Sequence, residues 1–220
     1  MKLLKNRFCA FSCASFLLLE ETSFTVASTE CFELMYKAVK DDDAAALASI
    51  FYNDKNDCDI NEIIPDASGQ TLLMNAVLQG KNDDVVTTLL KAGADVSIGE
   101  KQGYTPIHGA GFQGRASHAR ILVELGGMNV DDIHTDGHTP LNRACWGNMP
   151  GHAETMRTLL ELGADIEKKM CFPDPGPGAD GKIGKRCTAM IDHPMHPNMR
   201  AVLLEFTKKN ENQEQESDEL

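Results

Sequence analysis

Seven cysteines and seven histidines are the residues of this 220-residue chain with the most chemistry open to them. No two cysteines stand in a C-x-x-C pair, so redox catalysis of the thioredoxin kind has no support. In an oxidising compartment Cys171 and Cys187 would close a loop, and Cys31 and Cys58 would tie an N-terminal element; all-free thiols are the alternative. His134 and His138 stand four apart, but in a turn-forming stretch with Gly137, which does not give helical zinc-ligand geometry. His193 and His196 flank Pro194, and Asp174 and Asp180 lack the spacing of an EF-hand loop. No metal and no cofactor are therefore expected. No phosphate loop, nucleophile elbow or isolated carboxylate pair is present, so the chain reads as a non-enzyme.

The composition is that of a soluble protein, 42% hydrophobic and 25% charged, with enough apolar material for a core. Its formal net charge of -12 would repel nucleic-acid backbones and anionic membranes, so neither is an expected partner. The two ends carry address-like patterns. Lys2, Lys5 and Arg7 precede an apolar run from Phe8 to Leu19 and a small-residue exit at Val26-Ala27-Ser28, as in a secretory signal peptide over residues 1–28. The run is shorter than the roughly 20 residues that span a bilayer, so the mature form is not expected to hold a membrane segment. Ser217-Asp218-Glu219-Leu220 is similar to the KDEL-type retrieval signal, on a polar tail (208–220) expected to be disordered. Both ends point to the lumen of the endoplasmic reticulum, with secretion or the cytoplasm as alternatives.

An internal repeat organises the middle. Gly69-Gln70-Thr71-Leu72-Leu73, Gly103-Tyr104-Thr105-Pro106-Ile107 and Gly137-His138-Thr139-Pro140-Leu141 put their threonines at 71, 105 and 139, both intervals being 34. A second apolar stretch follows each: Leu89-Leu90-Lys91-Ala92-Gly93, Ile121-Leu122-Val123-Glu124-Leu125-Gly126 and Leu159-Leu160-Glu161-Leu162-Gly163. The glycine before each Thr suits a turn, the Thr a helix N-cap and the Pro the first helical position. Gly93, Gly126 and Gly163 are expected to end the second helices in a left-handed conformation. Ala76, Ala110 and Ala144 allow close helix approach.

These units resemble the ankyrin repeat, G-x-T-P-L-H-x-A…L-L…G-A-D. The resemblance implies an all-α solenoid of stacked helix-turn-helix units with short β-turn or hairpin fingers. It gives a capping repeat over 29–66, three central repeats over 67–166 and a second capping repeat over 188–207. Two departures stand out. The third unit carries an insertion at Gly147-Asn148-Met149-Pro150, and the step from Thr139 to Thr188 is 49. The excess, rich in Pro and Gly over 173–178, reads as an extended finger loop at 167–187, or a plain spacer. Cys145 falls where the repeat takes a small buried residue, so an inert thiol is expected.

In that family the position seven after the turn Thr faces the concave groove, which here gives Leu78, Phe112 and Trp146. The residues just before the Thr are Gln70, Tyr104 and His138, while Gln79 and Gln113 follow the ladder. Lys101, Gln102, Thr135 and Asp136 would form a polar rim at the turn tips. Large side chains in such a ladder suit protein recognition; folding down onto the neighbouring helix is the competing role for Phe112 and Trp146. The expected function is a monomeric scaffold or adaptor that binds another protein through groove and tips. The alternative is a regulatory or inhibitory subunit that occludes a partner enzyme through residues 167–185.

Overall fold

The computed structural model describes residues 30–52, 58–177, 183–192 and 194–218. The signal-peptide reading over 1–28, and Glu219 and Leu220 of the retrieval signal, lie outside these residues. Helices α1 (30–40) and α2 (Ala44–Tyr52) open the chain. Then come α3 (Leu72–Gln79), α4 (Asp83–Lys91), α5 (Pro106–Gln113), α6 (Ala116–Glu124), α7 (Pro140–Ala144) and α8 (Pro150–Glu161). Strands β1 (Met170–Pro177) and β2 (Ile183–Thr188), a 3-10 turn at Met190–Asp192 and α9 (Pro197–Asp218) complete it. Helices α3, α5 and α7 pack in one row, and α2, α4, α6, α8 and α9 in a second. The molecule is thus a solenoid of helix pairs. Among the described helices none is long and apolar enough to cross a membrane.

The sequence period is the packing period. Leu73, Ile107 and Leu141 recur at the 34-residue step and are buried in the inner row, as are Ala76, Ala110 and Ala144. Leu47, Leu89, Leu122 and Leu159 fill the outer row, each fully buried. Burying a side chain of this size contributes roughly 1.5–3 kcal/mol, which no lone helix pair could collect. The loops repeat the same step: the Asp95 amide donates to Asn61 Oδ1 (2.8 Å) and the Asp165 amide to Asp131 Oδ1 (3.1 Å), each 34 residues back.

Helix starts follow the expected chemistry with one exception. Thr71 Oγ1 accepts from the Met74 amide (3.2 Å), and Thr139 forms a reciprocal capping box with Asn142. Thr105 makes no side-chain cap; its hydroxyl donates to Asp132 Oδ2 (2.9 Å) instead, tying the start of its unit to that unit's end. The turn glycines 69, 103 and 137 have φ of 79°, 87° and 89°, where a side chain would be strained. In the second unit the left-handed glycine is Gly127 (φ 68°), not Gly126 as expected. Gly126 serves close approach, since a Cβ there would stand 2.6 Å from Leu122 O.

Three terminal expectations change. In the expected finger loop the described strands β1 and β2 pair as an antiparallel hairpin rather than a plain loop, with Cys171 opposite Cys187 and a register shift between Pro173 and Pro177. The first helix of the C-terminal cap shrinks to one 3-10 turn, because Pro194 and Pro197 interrupt a longer one. The tail expected to be disordered continues α9 to Asp218, so Ser217 and Asp218 lie on helical backbone. Lys208–Asp218 contains no Gly, Pro or β-branched residue, and a helix already nucleated on buried Met199, Val202 and Leu203 propagates cheaply through Lys, Glu and Gln. At the other end, Cys31 and Cys58 are joined by a disulfide with a Cα–Cα distance of 5.8 Å.

Leu122→Ala, in the middle of the stack, should lower the unfolding free energy by about 2–5 kcal/mol. Urea titration followed by circular dichroism checks this, against a Leu125→Ala control that should change stability by less than about 1 kcal/mol because Leu125 is half exposed.

Candidate functional site

The inner helices and the turn before α5 enclose a cavity of about 350 Å³ on the concave side. Its apolar wall is Met74, Leu78 and Phe112, and its polar edge includes Glu100, Gln102, Gln113 and Arg143. Phe112 is 55% exposed, which is unusual for a phenylalanine in a packed array. The cavity exists because Gly109 contributes no side chain where the next unit carries Arg143, one 34-residue step later.

Beside the cavity a polar cluster is built across two repeats. The Tyr104 hydroxyl donates to Asp136 Oδ2 (3.0 Å) and accepts from the Arg143 guanidinium (2.8 Å). Arg143 also donates to Asp136 Oδ2. His134 Nδ1 and His138 Nδ1 lie 2.9 and 3.1 Å from Asp136 Oδ1. The rings stack as well: Tyr104 lies on His134 with centroids 3.8 Å apart, and the guanidinium sits 4.5 Å over Tyr104 and 4.4 Å over Trp146. Burial alone would push the Asp136 carboxyl up. Hydrogen bonds from His134 and His138 and the charge of Arg143 outweigh it and hold the carboxyl far below the usual range. Burial, then the bond to Asp136, pushes the Tyr104 phenol up. Burial likewise pushes the Cys145 thiol up to about 12, and its sulfur faces Met156 Sδ at 3.8 Å.

Of the residues read from the sequence, Leu78, Gln102, Tyr104, Phe112 and Gln113 are brought together around the cavity. Lys101 and Thr135 are exposed at the turn tips, and Gln79 is exposed after the ladder. Gln70 accepts from Asn75 Nδ2 (3.1 Å), within its own repeat. His138 is a correction: it is buried under Trp146, ring centroids 4.8 Å apart, and faces inward rather than to a partner. Its position follows from Asp136, whose carboxylate draws the ring in. Asp136 is likewise the hub of the cluster rather than a plain rim residue. Trp146 divides its faces between the cluster and solvent, at 38% exposure. The sequence reading missed Arg143. Its one signal was a large cation at an inner-helix position where the two preceding units have Asn75 and Gly109.

Histidines also tie the repeats. His118 Nε2 lies 2.7 Å from Lys81 O, His134 Nε2 2.7 Å from Gln102 O, and His152 Nε2 2.9 Å from Phe112 O. The His118 and His152 bonds each join a histidine of one unit to a backbone carbonyl of the unit before, and the His134 bond ties two successive turns. Among the described residues no group of three or more His, Cys, Asp or Glu is arranged to hold a metal ion.

The family description "Ankyrin repeats (3 copies)" matches residues 73–170, which take in the three central helix pairs from α3 to α8. The central array is composed of ankyrin repeats. The chain is 40% identical over 77 residues to Inversin of Danio rerio, covering 34% of this chain and 7% of that protein. It is 31% identical over 106 residues to RelA-associated inhibitor of Mus musculus, covering 48% and 12%. It is 40% identical over 73 residues to Protein phosphatase 1 regulatory subunit 27 of Homo sapiens, covering 33% and 46%. The chain spans less than half the length of each of these relatives. Ankyrin repeats are interaction modules, which assigns the stack a role in protein binding.

Two outcomes follow from the charges. Burial pushes the His108, His118 and His138 rings below the ordinary value of 6.5. The unfolded chain therefore takes up protons first as pH falls below 6.5, and stability present above that value is lost as pH drops toward the folded values. Asp136 adds a second loss of the same direction only below 3.8, its ordinary value. The urea midpoint should fall between pH 7.5 and pH 5.5, and an unchanged midpoint would contradict the buried neutral histidines. Asp136→Asn should cost about 1–3 kcal/mol in the same titration, since it leaves the Arg143 guanidinium without its carboxylate.

Proposed function

We propose that the chain is an interaction scaffold whose concave groove, around Tyr104, Phe112 and Arg143, takes a segment of another protein. One observation carries this reading: the stack leaves a large aromatic, Phe112, uncovered beside Leu78 and Met74 in a cavity its own side chains do not fill. Exposed apolar anchors ringed by polar groups are what protein interfaces use. The stack offers a surface for recognition rather than a water-excluding pocket with a nucleophile and a base. The net charge of -12 favours a partner segment that is not itself strongly acidic. The signal-like start and the Ser217–Leu220 ending support residence in the lumen of the endoplasmic reticulum.

A second reading has its own support. Two relatives carry the names of an inhibitor and a regulatory subunit, and this chain adds a hairpin after the third repeat. In that reading the hairpin enters and occludes a partner enzyme.

Replacing both Leu78 and Phe112 by Ala should reduce partner capture at least about tenfold, the effect of losing one well-packed anchor. The far-UV spectrum should stay native, because both side chains lie on the open face. Removing residues 170–188 should leave capture intact. Capture that survives the double substitution but is lost with the hairpin would overturn the groove in favour of occlusion.

A further inference from the structure

The hairpin is poorly provided for by its own sequence. Strand β1 contains Pro173, Pro175 and Pro177, none of which can donate to the ladder, and the register shifts between Pro173 and Pro177. A two-stranded ribbon is marginal in water without further support. The two strands contact each other far more than they contact any helix of the stack. Something other than packing must fix this register.

Cys171 and Cys187 are direct partners in that register, one rung from the base of the hairpin at Met170 and Thr188. Opposed residues of an antiparallel pair share one face of the ribbon, with Cα atoms about 4.5–5.5 Å apart. A disulfide needs about 4.4–6.8 Å, so either kind of antiparallel pair satisfies it. The other described cysteines are committed elsewhere. Cys31 and Cys58 are bonded to each other, and Cys145 is buried in the third repeat. We propose that Cys171 and Cys187 form a cross-strand disulfide that clasps the base of the hairpin, giving the stack one staple near each end.

The chemistry balances with a low-molecular-weight disulfide such as glutathione disulfide as oxidant. The Cys171 thiolate attacks one sulfur of the oxidant, releasing the first thiol and leaving a mixed disulfide on Cys171. The Cys187 thiolate then attacks the Cys171 sulfur and expels the second thiol. Two protons leave the protein thiols and end on the two released thiols, and the oxidant takes the electron pair. The clasp is independent of the groove: it fixes the hairpin that a partner meets, and its loss leaves the cavity at Phe112 intact.

The test is peptide mapping of the full chain equilibrated with glutathione disulfide, alkylated and digested with trypsin without reduction. Cleavage after Lys169, Lys182, Arg186 and Arg200 puts Cys171 on peptide 170–182 and Cys187 on peptide 187–200. The expected result is one linked species of those two peptides, lighter by two hydrogens than their sum and split by a reductant. Cys187→Ser should leave Cys171 linked to no other protein cysteine, either alkylated or carrying glutathione, with the far-UV spectrum unchanged. Both peptides alkylated in protein that keeps its Cys31–Cys58 link would overturn the proposal. So would either cysteine linked to a different one.

Discussion

A helix pair of this size cannot bury its own apolar face, and everything else in the molecule follows from that constraint. Leu73, Ile107 and Leu141 are covered only because another unit stands 34 residues away to cover them. The same step is locked by polar bonds, from Asp95 to Asn61 and from Asp165 to Asp131. Apolar burial supplies the driving force and the loop bonds fix the register. The ends must then differ from the middle. The N-terminal cap is tied by Cys31–Cys58, and the C-terminal cap gives up its first helix to a 3-10 turn and extends its second.

The candidate site is a product of that register. Tyr104 belongs to one repeat, while Asp136 and Arg143 belong to the next, and only stacking at the 34-residue step joins them. Two rows of otherwise similar side chains become a site because one unit omits a side chain at Gly109 and the next inserts Arg143. The cluster is rigid for an electrostatic reason. Asp136 is held ionised by His134, His138 and Arg143, and in turn holds the guanidinium between Tyr104 and Trp146. The side of the cavity next to the cluster is thereby pre-organised. A partner meeting Phe112 would lose little freedom in side chains already fixed.

The central fold was legible because its cause is periodic. Threonines at 71, 105 and 139, with their glycines and prolines, state the turn, the cap and the first helical residue directly. The ladder position also led to Leu78 and Phe112, which do share the cavity. What escaped was whatever depends on side-chain contacts that the period does not fix. Thr105 looks like a cap but bonds Asp132, and His138 looks like a groove residue but is drawn inward by Asp136. Gly127 rather than Gly126 takes the left-handed turn, although counting 34 from Gly93 does fall on it. The hairpin was hidden by its prolines, which argue against helix and strand alike, and the extended α9 by a polar composition that also suits disorder.

The most direct measurement is the far-UV circular dichroism and thermal melt of a single central unit, residues 67–100, beside the full chain. If burial between units is what makes the fold, the lone unit will show no native helix and no cooperative melt, while the full chain shows both. A lone unit that folds with native helicity and melts cooperatively would contradict the account at its root.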